Sequence, residues 1–112
     1  MNKDFALFQS EFKKWQKVFG LSGYRAYFKY EPLDKFASIV INQSDMVVTV
    51  KLNSKISDED KPHQDIKRSA KHEAIHLLVA RLEMNGHFRY ATEHEICEAA
   101  EELVFKLESL IP

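Results

Sequence analysis

His72-Glu73-Ala74-Ile75-His76 constrains this chain more than any other stretch, because its two histidines share a face only if the segment is helical. Residues four apart on a helix are neighbours, so both imidazoles project from one side and can grip a single ion. Glu73 leaves the helix at a different angle, toward where a water on such an ion would sit. Beside the histidines run Ile75, Leu78, Val79 and Leu82, the apolar stripe of a helix with a cleft on one side and core on the other. Such a helix cannot complete a site alone. Two histidines on zinc call for a third protein ligand that leaves one position open, and a carboxylate from a second helix is one known way to supply it.

The rest of the sequence reads as α+β: an N-terminal helix, a three-stranded antiparallel sheet, the H-E-x-x-H helix and a C-terminal glutamate helix, all in one domain over residues 1–112. Phe5, Phe8, Phe12, Trp15 and Phe19 alternate spacings of three and four, which makes one apolar helix face that Gly20 can end. Tyr24 to Tyr30 alternates as a strand, Phe36 to Ile41 is rich in β-branched residues, and Met46 to Leu52 is a third strand. The turns at 31–35 and 42–45 are short, which implies an antiparallel meander. Pro62 is expected to open the motif helix, which runs to about Met84 and is closed by Asn85-Gly86. After a loop carrying His87, Phe88, Arg89 and Tyr90, Thr92 and Glu95 read as a capping box for a helix ending near Leu110.

That last helix carries every candidate third ligand: Glu93, Glu95, Glu98, Glu101 and Glu102. Its apolar residues Ile96, Ala100, Leu103, Val104 and Leu107 cluster on one side of the helical wheel. Glu98 points almost directly away from them, Glu102 lies one turn further along that side, Glu93 points toward the core, and Glu95 and Glu101 flank it. Glu98 is the preferred ligand, with Glu102, Glu101 and Glu95 as alternatives.

Composition narrows the setting. With 16 basic and 17 acidic residues the net charge is −1, which gives no electrostatic footprint for nucleic acid or an anionic membrane. The local run Lys61, Lys67, Arg68 and Lys71 reads as a solvated helix face. No stretch is apolar enough to cross a bilayer, and the first residues lack a signal-peptide core, so a cytoplasmic location and a monomer or weak homo-oligomer are expected. Cys97, the single cysteine, reads as a small packed residue.

The spacing of H-E-x-x-H, a glutamate 22 residues after His76 and an acidic residue four positions later, Glu102, resembles the gluzincin metallopeptidases. The order of elements is similar to the minigluzincins and to small phage and prophage metallopeptidase-like proteins. In gluzincins the second acid is Asp, whereas Glu102 stands here. The resemblance implies zinc held by His72, His76 and Glu98, with Glu73 as general base for hydrolysis of a peptide or protein substrate. It also implies an edge strand over the cleft, for which Met46 to Leu52 is the candidate, and an oxyanion-stabilising group among Tyr90, His87 and His94. The competing expectation is a zinc-binding interaction or regulatory protein without proteolysis, or a latent enzyme whose tail, Leu110-Ile111-Pro112, folds back over the site. An open fourth position and the presence of Glu73 favour catalysis.

Overall fold

A computed structural model describes residues 2–87 and 92–111. Helix α1 spans Lys3–Val18, with the Asn2 side chain accepting hydrogen bonds from the backbone N–H groups of Asp4 and Phe5. Phe8, Phe12 and Trp15 are buried, as their spacing predicts, and Phe5 and Phe19 pack at the margin. Gly20, at φ +70, takes the left-handed conformation that ends the helix.

Strands β1 (Arg25–Glu31), β2 (Ala37–Asn42) and β3 (Val47–Asn53) form one sheet in the order β1-β3-β2. The expected meander is corrected here: β3 pairs antiparallel with β2 but parallel with β1, so the sheet is mixed. β3 takes the centre because Val48, Val50 and Leu52 give it a fully apolar inner face. The link from β1 to β2 then has to pass the end of β3, and buried Asn53 holds it there. Its side chain accepts from the Leu33 N–H at 3.0 Å and donates to the Leu33 carbonyl at 3.0 Å. Asn53→Ala is expected to destabilise the protein by about 2 kcal/mol in chemical denaturation, since these two bonds and the one it accepts from the Lys55 N–H at 2.9 Å are all lost.

Pro62 opens a separate 3₁₀ turn, Lys61–His63, rather than the motif helix. Helix α2 spans Ile66–His87, and the Asp65 side chain caps it through the Arg68 N–H at 3.0 Å. Asn85-Gly86 does not end it. Gly86 lies within the helix and faces the Ile96 side chain of the next one. α2 is sandwiched: Ala70, Ala74 and Leu77 join the core with α1 and the sheet, while Ile75 and Val79 pack toward the last helix. Leu78 and Leu82, placed by their spacing in the apolar stripe, are both exposed. Helix α3 spans Glu93–Leu110; Thr92 Oγ1 accepts from the Glu95 N–H at 3.2 Å, the expected N-cap bond, and its hydroxyl donates to the Glu95 carboxylate at 2.8 Å. No helix among the described residues is long and apolar enough to cross a membrane.

Candidate metal centre

α2 and α3 lie side by side, and the strip between them is where the charged groups meet. His72 and His76 stack edge to face with ring centroids 4.9 Å apart. Both aim Nε2 at one carboxylate, and it belongs to Glu101: His72 Nε2 stands 3.0 Å from Oε1 and His76 Nε2 3.0 Å from Oε2. Glu98, the ligand preferred on the helical wheel, is not in this group. Its side chain is largely solvent-exposed and pairs with His94 at 2.8 Å. The error has a definite cause. The wheel set the ligand opposite the apolar cluster, but α2 packs on the flank of that cluster. The residues α3 turns toward α2 there are Glu101, Val104 and Glu108, on one face at spacings of three and four.

Glu108 is a functional group the sequence reading missed. It is buried at 4% exposure, yet charged partners surround it. Its Oε1 accepts from Arg68 Nε at 3.0 Å and Nη2 at 2.7 Å, and its Oε2 lies 2.7 Å from His72 Nδ1. Burial pushes the carboxyl upward, but hydrogen bonds from His72 and Arg68, and their charges, outweigh it and hold the pKa below the usual value. An ionised carboxylate can only accept, so His72 carries its proton on Nδ1. Arg68 therefore anchors this array instead of forming a merely solvated face. Lys71, from the same basic run, donates to the Ile111 carbonyl at 3.2 Å. The signal was available: Glu101 and Glu108 are seven apart, two turns along one face that also carries Val104.

The donor set fits a metal ion. In a neutral His72 ring with the proton on Nδ1, Nε2 presents a lone pair to a carboxylate oxygen 3.0 Å away, and two acceptors at that distance require a proton or a cation between them. Burial holds the His76 pKa below its usual value, which favours the neutral, ligating ring. The three ligand atoms lie within 4.8 Å of one another, against about 3.3–3.4 Å between the ligands of a tetrahedral zinc, so adjustment of the side chains would seat an ion. Nitrogen and carboxylate donors suit zinc better than calcium or magnesium. Glu108→Ala is expected to weaken divalent-metal binding by about 10–100-fold, measured by competition with a chelator, through loss of the group that fixes the His72 ring.

Glu73 sits one residue from His72 on the cleft wall and is 6% exposed. Burial raises its pKa to about 7; His72 and Lys35 oppose the shift, while Glu101 and Glu108 add to it. The cleft has two lobes, of about 390 and 450 Å³, which share His72, Glu73, Glu101, Lys35 and Ala37. Ala37, Ser38, Ile39 and Ile41 put β2, not β3, along one wall. The edge strand over the site is thus β2, because β3 is paired on both sides.

The other candidates scatter. Tyr90 lies outside the described residues, as do Phe88 and Arg89 of its loop. His94 is exposed on α3. His87 ends α2, near Glu83. Cys97 is exposed, not packed as expected. Ile111 packs on the core and Leu110 points outward; neither lines the cleft, so these two residues of the tail do not cover it. Glu93, Glu95 and Glu102 are exposed on α3. No family model matches the chain, and no curated protein or solved structure matches it significantly.

Proposed function

We propose that this chain is a zinc-dependent peptidase of the gluzincin type, with His72, His76 and Glu101 as metal ligands and Glu73 as general base. The observation that carries the reading is the convergence of both Nε2 atoms on Glu101 beside a buried carboxyl whose pKa is raised to about 7. When bound, zinc acts as a Lewis acid that lowers the pKa of water and polarises a carbonyl. Glu73 takes the proton from the attacking water and passes it on to the leaving amine. Glu108 keeps the His72 ring oriented through Nδ1. β2 offers its unpaired edge to an extended peptide, and the two lobes receive the chain on either side of the site.

The test uses purified protein, a mixture of unstructured polypeptides and mass spectrometry of new termini. Cleavage that disappears on chelation and returns with added zinc is expected. Metal uptake without any cleavage would instead favour a zinc-binding interaction protein.

A further inference from the structure

Two turns beyond His76, the same face of α2 carries a second set of metal-binding groups. Glu83 and His87 are one turn apart on α2, and Cys97 faces them from α3. One ligand atom from each lies within 4.8 Å of the others: Cys97 Sγ is 3.9 Å from Glu83 Oε1, and His87 Nε2 is 4.0 Å from the same oxygen. His87 Nε2 is moreover a buried polar atom with no hydrogen-bond partner, alone in this respect among the described residues. An imidazole nitrogen withheld from water costs free energy unless something takes its lone pair or its proton.

We propose that Glu83, His87 and Cys97 form a second site, for a borderline transition-metal ion of the zinc type. One thiolate, one imidazole and one carboxylate are the donors such ions accept, and they exclude calcium and magnesium. Around a tetrahedral ion these atoms would stand about 3.3–3.6 Å apart, so modest side-chain rotation closes the group. The thiol proton leaves to solvent as the Cys97 sulfur is ligated. The rise between His76 and Glu83 is about 10 Å at 1.5 Å per residue, too far for a shared pair of catalytic ions about 3.5–4 Å apart. The site therefore clamps the α2–α3 hairpin, while Glu83 and Cys97 place it on the wall of one cleft lobe.

Cobalt(II) separates the two sites, because only this one contains sulfur. Reduced, metal-free protein is titrated with cobalt(II), and thiolate-to-cobalt charge-transfer absorption is recorded. The band is expected in wild type and in the double variant His72→Ala/His76→Ala, so the outcome does not depend on the peptidase reading. It should vanish in Cys97→Ala and need more than about 10-fold higher cobalt in His87→Ala and in the nearly isosteric Glu83→Gln. Circular dichroism checks that each variant is folded. Absence of the band in reduced wild type at excess cobalt would overturn the site. So would a band of unchanged affinity in both His87→Ala and Glu83→Gln, which would mark an isolated surface thiol.

Discussion

In a Cys97→Ala background, which removes the second site, Glu101→Ala is expected to abolish the zinc binding that remains, while Glu98→Ala leaves it unchanged. Both glutamates lie on α3 three residues apart, and both are acidic side chains of identical chemistry, so the pair isolates position from charge. Glu101 is the only carboxylate among the described residues within 3.0 Å of both Nε2 atoms of His72 and His76, whereas Glu98 is committed to His94 in solvent. Without Glu101 the ion keeps two imidazoles, too few for a protein site with one open position. Equilibrium dialysis or elemental analysis after desalting, on the variants carrying Cys97→Ala, measures the difference. Zinc retained by Glu101→Ala and lost by Glu98→Ala would reverse the assignment.

Glu73→Gln should act in opposite directions on catalysis and on stability. The amide keeps the shape of the side chain but cannot accept the proton, so peptide cleavage should fall by about 10²–10⁴-fold while zinc is retained. In chelated protein the same change should stabilise the fold at neutral and alkaline pH. The carboxyl titrates at about 7 in the folded state against 4.5 as its ordinary value. Between those values the folded state holds a proton that the unfolded state has released, so stability falls as pH rises from 4.5 to 7 and then levels off. The accumulated penalty is about 3 kcal/mol, and Gln removes it. Denaturation of the two chelated proteins at pH 4 and pH 8 should therefore give similar stabilities at the lower pH and a more stable variant at the higher. Equal stabilities at both would show that Glu73 is better solvated than its burial implies.

How much was legible in the sequence depends on the range of the interaction concerned. His72, Glu73 and His76 are set by the period of a single helix, and the aromatic face of α1 and the Thr92 cap are equally local; all of these stand where their spacing places them. The third ligand is not local. A helical wheel gives the direction of Glu98 or Glu101 about the α3 axis, but the side on which α2 packs decides which direction is the cleft. Sheet order failed for a similar reason. Short turns suggested neighbours in sequence would pair, yet the apolar face of β3 and the hold of Asn53 on Leu33 put β3 between the other two. Glu108 was overlooked because a carboxylate in a buried stripe looks like an interruption of the core until its partners Arg68 and His72, from another helix, are seen.

The most direct measurement is an anomalous-difference map at the zinc edge from crystals of the protein grown with zinc. The predicted result is a peak between His72 Nε2, His76 Nε2 and the Glu101 carboxylate, with Glu108 still bonded to His72 Nδ1 and Glu73 facing the open side of the ion. A peak ligated by Glu98 or Glu102 in place of Glu101, or no peak at the two histidines with zinc present, would contradict the account.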